Sequence, residues 1–165
     1  MTFQSFKVLV LSVLMLVASQ LSFAGAIDGK KFKDWQGRCQ TDNGKETCYL
    51  IQMLLVDNKE PLMITTVNLV QHPKFPVVTL RVPPELDSTK DVAFKVDKNS
   101  PIGLKSKCSE KECGVSFALD KRMLNEFKRG RQGVLAFMVK ETGKPVYYPV
   151  SLSGISKALA ELKKS

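Results

Sequence analysis

The feature that most constrains this chain is a pair of cysteines, Cys39 and Cys48, placed symmetrically about the dipeptide Asn43-Gly44. Asn-Gly is the strongest short signal for a β-hairpin, because both loop residues must accept positive φ angles. If the dipeptide forms a two-residue loop, Cys39 lies directly opposite Cys48 at a non-hydrogen-bonded position, where side chains are closest. Their Cβ atoms are then roughly 4.5–5.5 Å apart, close to disulfide distance. We therefore predict a cross-strand Cys39–Cys48 disulfide.

The other two cysteines, Cys108 and Cys113, have four residues between them and close a second predicted hairpin. Alternation over Ile102–Cys108 predicts one strand with Cys108 on its apolar side. The centre of the turn, Glu110-Lys111, lacks glycine and asparagine, so a two-residue and a four-residue loop both stay open. The spacing differs from that of redox-active pairs and of zinc ligands. We predict a structural Cys108–Cys113 disulfide and no metal site, which implies an oxidising compartment.

The N-terminal segment has the organisation of a secretory signal peptide. A single lysine precedes a largely apolar run, Val8 to Ala18, and small residues follow it. The run is shorter than the roughly 20 residues that a membrane span needs, which favours a cleaved signal over an anchor. We expect residues 1–24 to be a signal peptide, with cleavage after Ala24 or Ala26. Residues 27–165 then form a single domain, and no other stretch predicts an integral membrane protein.

The rest of the chain consists of short strand-like segments separated by turn residues. Val92, Phe94 and Val96 alternate with polar or small residues, as in a half-buried strand. Cys48–Val56 and residues 133–140 are apolar on both parities, which predicts central strands covered on both sides. Roughly nine such strands at 8–12-residue spacing are typical of an antiparallel sandwich or barrel. The predicted fold is an all-β, antiparallel β-sandwich, Ig-like or jelly-roll-like, stapled by the two hairpin disulfides.

Two short helices complete the predicted fold. The first follows Asp120, a good N-cap residue, and ends at Gly130, which is expected at the left-handed position after the helix. The second covers the apolar stripe Ile155–Leu162 at helical spacing. Ser153 or Ser156 is expected to cap it.

The formal charge of the chain is +9, and part of it is concentrated on and after the first helix. In an exported protein, a basic surface is a candidate contact for an acidic protein, an anionic glycan or a membrane surface rather than for nucleic acid. The alternative is an ordinary solvated helix face. The residues of this candidate patch are Lys121, Arg122, Lys128, Arg129 and Arg131.

Signals of catalysis are weak in this sequence. The single histidine, His72, lies beside Pro73 in a predicted loop. Asp87, Asp91 and Asp97 are near one another, but carboxylates in turns are typical of a solvent face. No serine has the context of a nucleophile elbow, and no glycine-rich phosphate loop is present. We therefore expect no catalytic residue and no cofactor.

A series of spaced residues resembles the invasion-associated locus B family, also called the invasion protein B family, of exported proteins of Gram-negative bacteria. The resemblance extends over nearly the whole chain after the signal segment. The segments that carry it are Trp35-x3-Cys39, Cys48-x3-Gln52, Val96-Asp97, Cys108-x4-Cys113-Gly114, Phe127-x2-Gly130 and Ser151-Leu152-Ser153-Gly154-Ile155-x2-Ala158-Leu159.

The resemblance implies a β-sandwich in the periplasm, at the outer membrane or in the secreted fraction, with a role in host-cell invasion and virulence. Together with the residues, it leads us to expect a non-enzymatic protein that acts by surface binding. The alternative is a periplasmic accessory or chaperone-like factor for envelope assembly. The sequence leaves the partner, the oligomeric state and the final compartment open.

Overall fold

The computed structural model describes residues 27–57, 59–69, 72 and 74–165. The predicted signal peptide and its two cleavage sites lie outside these residues. The strands are β1 (Lys31–Phe32), β2 (Trp35–Asp42), β3 (Lys45–Val56), β4 (Glu60–Asn68), β5 (Val77–Val82), β6 (Val92–Val96), β7 (Ile102–Leu104), β8 (Ser106–Cys108), β9 (Cys113–Ala118), β10 (Gln132–Met138) and β11 (Pro145–Ser151). The helices are α1 (Lys121–Arg129) and α2 (Ile155–Leu162).

The strands form two antiparallel sheets. The larger sheet has seven strands in the order β1-β2-β3-β4-β5-β9-β8, and the smaller has four in the order β11-β10-β6-β7. Both sheets contribute to one hydrophobic core. The predicted antiparallel β-sandwich with two short helices and two disulfides is confirmed.

A group of three phenylalanines joins the two sheets and α1 in the core. Phe94 of β6 lies 5.0 Å from Phe117 of β9 and 5.8 Å from Phe127 of α1, measured between ring centroids. Aromatic pairs at such distances add packing energy beyond their buried area. The polar side of α1 is thereby turned to solvent.

The segment Ile102–Cys108 is two strands rather than the single strand that its alternation predicts. β7 pairs with β6 in the smaller sheet, and β8 pairs with β9 in the larger one. Lys105 connects them, so the chain changes sheets without losing its parity. Cys108 is exposed, against the prediction, because β8 is an edge strand, whereas Cys113 is fully buried.

β3 is central in the hydrogen-bonding order, but it is not covered on both sides as predicted. Met53, Leu55 and Val56 are 52%, 40% and 44% exposed. Met53 lies on the face of the larger sheet that points away from the core, and the register with β4 shifts between Leu54 and Leu55. The apolar end of β3 is therefore an exposed surface.

The cap of α1 is confirmed at its start and differs from the prediction at its end. Asp120 Oδ1 accepts a hydrogen bond from the Met123 amide at 2.7 Å. Gly130 has φ −73° and ψ 166°, so it is extended and not left-handed. Its lack of a side chain is required by packing, because a Cβ there would lie 2.4 Å from Val96 Cγ1.

α2 begins after a glycine and not after a serine cap. Gly154 is the N-cap residue and is left-handed, with φ 90° and ψ −11°. A Cβ on Gly154 would lie 2.0 Å from the Phe32 carbonyl oxygen, so β1 approaches this turn closely. Ser156 instead donates its hydroxyl hydrogen to the Lys128 carbonyl at 2.9 Å, which joins α2 to α1.

Candidate functional site

Both disulfides that the hairpin geometry predicts are present. In the first hairpin Asp42 faces Lys45 and Cys39 faces Cys48, and the two Cα atoms of the bonded cysteines are 4.0 Å apart. The loop residue Asn43 has φ 49°, as a two-residue loop of this type requires. This disulfide therefore lies where the register alone would bring the two side chains together.

The second hairpin resolves the choice that the sequence leaves open. Cys108 pairs with Cys113 and is bonded to it. The Ser109 amide donates to the Glu112 carbonyl at 2.8 Å, and the Glu112 amide donates to Ser109 Oγ at 3.3 Å. Ser109 thus closes the turn with both its main chain and its side chain. β8 ends at Cys108 and β9 begins at Cys113, so the connection is the four-residue loop 109–112, with Glu110-Lys111 at its tip.

The side chain of Gln52 connects the two sheets. Gln52 projects from β3, and its amide oxygen accepts a hydrogen bond from the Ser151 amide of β11 at 2.9 Å. Its amide nitrogen donates to the Ser151 carbonyl at 3.1 Å and to the Asp34 carbonyl at 3.2 Å. Both main-chain groups of Ser151 are therefore bonded to a residue of the other sheet.

Trp35 and Asp34 extend this connection. Trp35 is 1% exposed, and its indole Nε1 donates to the Ser151 carbonyl at 2.9 Å. The Ser151 hydroxyl donates to Asp34 Oδ2 at 2.5 Å, and Ser151 Oγ accepts from the Ser153 amide at 3.2 Å. Three of the spaced motifs, those at Trp35, Gln52 and Ser151, thus meet in one structural junction.

The candidate basic patch lies on the solvent side of α1. At 3.6 residues per turn, Lys121, Arg122, Lys128 and Arg129 fall within roughly 120° of arc. All four are exposed, while Met123 and Phe127 are buried on the opposite side. The structure therefore brings these four predicted residues together, and we call them the α1 basic face.

Arg131, the fifth residue of the predicted patch, lies just beyond the helix beside a surface cavity of about 560 Å³. Lys98 and Arg129 also line this cavity, together with the two carboxylates Asp97 and Glu126. Basic side chains of the helix end and of the β6–β7 turn therefore face a common space.

Asp97 and one carboxylate oxygen of Glu126 are held by other partners. Asp97 accepts hydrogen bonds from the Arg131 and Gln132 amides, both at 3.0 Å. Glu126 Oε1 forms an ion pair with Arg122 at 2.7 Å. Within the described part of the chain, none of the side chains of Lys121, Lys128, Arg129 and Arg131 forms an ion pair. These four cations remain available to an external anion.

His72 has a local structural role. Its Nδ1 accepts hydrogen bonds from the Lys74 and Phe75 amides, both at 3.1 Å. Its ring stacks on Phe75 at a centroid distance of 5.4 Å. The imidazole therefore serves as a local acceptor for these two amides.

The three aspartates that the sequence places near one another have separate partners. Asp87 accepts from the Thr89 hydroxyl at 2.6 Å, and this bond is the main reason that its pKa is below the usual value. Asp91 forms an ion pair with Lys105, and Asp97 holds the two amides of the Arg131 turn. No pair of these carboxylates forms a shared acid–base site in the residues described.

A group of side chains with metal-ligand chemistry is formed by Cys39, Glu46 and Cys48. The two sulfur atoms are bonded to each other. Metal-binding cysteines use the thiolate form, so the oxidised pair does not supply the ligands that this group would need.

A sequence profile for the family described as Invasion associated locus B (IalB) protein matches residues 35–163. The chain belongs to the invasion associated locus B family. This match includes both hairpins, the Gln52–Ser151 junction and the α1 basic face.

A solved structure supports the same assignment. The chain is similar to the crystal structure of invasion associated protein B from Bartonella henselae, with a TM-score of 0.71 and 25% sequence identity. The alignment covers 81% of this chain and 93% of that chain. The comparison with curated proteins gave no match. Of the helices described, neither is long and apolar enough to cross a bilayer.

Proposed function

We propose that this protein is an exported, non-enzymatic protein that promotes host-cell invasion by binding an anionic partner through the α1 basic face and Arg131. The observation that carries the proposal is a group of four basic side chains, on and just after α1, that form no ion pair with any residue the structure describes. Membership of the invasion associated locus B family supports the link with invasion.

Export is part of the proposal. Two disulfides between neighbouring strands are expected of a protein that matures in an oxidising compartment. The proposed signal segment, residues 1–24, provides the route. The protein then acts in the periplasm, in association with the outer membrane or after secretion.

The proposed partner is an acidic protein, a glycan or an anionic membrane surface. The α1 basic face is rigid, because Met123 and Phe127 fix the helix on the core and Asp120 caps its first turn. A rigid array of cations raises association rates with an anionic surface, and salt weakens this attraction. Action by binding also agrees with the structural roles of His72 and of the carboxylates.

Charge reversal on α1 tests this function in the bacterium. A strain lacking the protein is complemented with wild type or with Lys128→Glu combined with Arg129→Glu. We expect the variant to restore invasion poorly. The matched control is Lys140→Glu with Lys144→Glu, which changes the net charge equally on the exposed β10–β11 turn. Equal invasion by both variants, or normal invasion by the deletion strain, would contradict the proposal.

The second candidate function is that of a periplasmic accessory or chaperone-like factor for envelope assembly. The observation that favours it is the apolar surface at the end of β3, where Met53, Leu55 and Val56 are exposed. Exposed apolar patches commonly mark protein interaction sites. Retention in the periplasm, envelope defects on deletion and failure of Met53→Ser with Val56→Ser to correct them would support this role over the first.

A further inference from the structure

The outer face of the larger sheet, opposite to its core side, contains a second candidate site that is separate from α1. A shallow cleft of about 400 Å³ crosses strands β2 to β5. Its lining includes Gln40, Thr47, Tyr49, Thr66, Thr79 and Arg81.

Strand register explains why these side chains share one face. Gln40 pairs with Thr47, and Thr66 pairs with Thr79. Directly paired residues of antiparallel strands point to the same side, and residues two apart along a strand do so as well. Thr47 and Tyr49 on β3, and Thr79 and Arg81 on β5, therefore continue the same surface. Residues of the other parity on these strands, such as Leu50 and Leu80, are fully buried in the core.

The chemistry of the cleft is that of hydroxyl and amide groups with a cation. All of the residues that line it are polar or aromatic, and none is acidic. Gln40 Nε2 donates to the Tyr49 hydroxyl at 3.2 Å, and Thr79 and Ser116 share a hydrogen bond between their hydroxyl groups at 2.9 Å. These bonds hold the polar groups in fixed positions.

Two arginines contribute positive charge to this face. Arg38 pairs directly with Tyr49, and Arg81 lines the cleft on the other side. Both are exposed, and neither forms an ion pair with a residue that the structure describes. Three strand spacings of roughly 4.8 Å place the two strands that carry them about 14 Å apart.

We infer that this cleft binds an acidic oligosaccharide of the host-cell surface. Sugar hydroxyls both donate and accept hydrogen bonds, as the threonine, glutamine and tyrosine groups here do. The guanidinium of Arg81 matches a carboxylate through paired, charge-assisted hydrogen bonds. A tightly bound protein partner fits less well, because protein interfaces have an apolar core and this cleft has none.

The site goes beyond the proposed function, because it uses strands β2 to β5 and no residue of α1. The choice of a host glycan over a bacterial one rests on the proposed role in invasion. The two surfaces can be separated by mutation, since Arg81 and Arg129 are both exposed arginines on different faces.

Binding of the purified, oxidised protein to defined oligosaccharides tests the inference. The probes are a hyaluronan hexasaccharide, which carries carboxylates, neutral maltohexaose and a bacterial lipopolysaccharide core oligosaccharide. We expect the hyaluronan probe to bind most tightly. Arg81→Gln should weaken it at least about tenfold, as for loss of a charge-assisted pair, and Gln40→Ala should weaken it in the same direction.

The control variant is Lys144→Gln, which removes an exposed cation from the β10–β11 turn and should bind the hyaluronan probe as wild type does. Arg129→Gln distinguishes the cleft from the α1 basic face. Amide chemical-shift changes on β2 to β5 should accompany binding. No binding, equal binding of maltohexaose, preference for the bacterial oligosaccharide or an unchanged affinity in Arg81→Gln would each overturn the inference. Loss of binding in Arg129→Gln alone would overturn it too and assign the glycan to the α1 basic face. The invasion test of α1 and this binding assay can fail independently, because they change different residues and measure different properties.

Discussion

The side-chain amide of Gln52 forms two hydrogen bonds with the main chain of Ser151, one with its N–H and one with its C=O, as a neighbouring strand would. Gln52 Oε1 accepts from the Ser151 amide at 2.9 Å, and Gln52 Nε2 donates to the Ser151 carbonyl at 3.1 Å. The two residues belong to different sheets. β11 is an edge strand, and Gln52 pairs with the Ser151 amide, while the Ser151 carbonyl also accepts a hydrogen bond from Trp35 Nε1. This junction joins the two sheets of the sandwich through hydrogen bonds.

Replacement of Gln52 should destabilise the fold. Gln52→Leu removes the partner of the Ser151 amide and leaves it without a replacement in a partly buried site. The cost of an unsatisfied buried donor is about 1–3 kcal/mol. Urea unfolding measures it, and the matched control is Gln132→Leu, whose exposed side chain makes no hydrogen bond to a described residue. Similar unfolding free energies for the two variants would contradict the junction's role.

Substitution of two glycines, Gly29 and Gly154, distinguishes the cost of backbone strain from that of a steric clash. Gly29 and Gly154 both have positive φ, but a Cβ at Gly29 would meet no described atom within 4 Å, whereas at Gly154 it would meet the Phe32 carbonyl. Gly29→Ala should cost roughly 1–2 kcal/mol from the left-handed conformation alone. Gly154→Ala should cost clearly more, because β1 must also move. Equal losses of stability for the two variants in thermal unfolding would show that the close approach of β1 to the α2 turn is not the reason for glycine at position 154.

The decrease in unfolding free energy at acidic pH should depend in part on Glu161. Hydrogen bonds and charge from Lys164 and then Lys30 lower the pKa of Glu161 from 4.5 to about 2. Because the native pKa is the lower one, this stabilisation is complete above pH about 4.5 and is lost as the pH falls towards 2. The difference in unfolding free energy between wild type and Glu161→Gln should shrink across this window. A difference independent of pH there, like that expected for exposed Glu141→Gln, would exclude the effect.

Each disulfide should stabilise the native state through the unfolded chain. The bonds close short loops, with sequence separations of 9 and 5. Loop-closure entropy predicts a loss of about 2–3 kcal/mol for Cys39→Ala with Cys48→Ala, and a slightly smaller loss for the Cys108 and Cys113 pair. Denaturant unfolding of both double variants measures these losses. Reduction of both disulfides in the wild-type protein should lower the unfolding free energy by the sum of the two losses. A loss below about 0.5 kcal/mol would argue against a stabilising role for the disulfide concerned.

Local signals in the sequence were sufficient for much of the fold. The Asn43-Gly44 loop sets the register of β2 and β3 and with it the Cys39–Cys48 bond. Asp120 predicts the start of α1, and the helical spacing of its basic residues predicts the α1 basic face. These features depend on residues a few positions apart, where backbone geometry alone determines which side chains are neighbours.

Other features depend on contacts between distant residues, and sequence patterns did not reveal them. The alternation through Lys105 is continuous although the chain changes sheets there. Alternation of side chains along a strand does not indicate which strand it pairs with. Gly154 is required by an approach of Phe32, and Gln52 bonds to a residue 99 positions away. The polar cleft was missed because its residues become neighbours only when β2 to β5 are ordered in one sheet. The signal for the cleft in the sequence is that polar residues share one parity on each of these strands.

In the proposed function, the exterior of α1 binds an anionic partner on host cells. The most direct measurement is equilibrium binding of the labelled, oxidised protein to host cells at low and high salt. We predict saturable binding that salt weakens, and at least about tenfold weaker binding for Lys128→Glu with Arg129→Glu. Lys140→Glu with Lys144→Glu should bind as wild type does. Equal affinities for both double variants, or binding that is indifferent to salt, would contradict the claim.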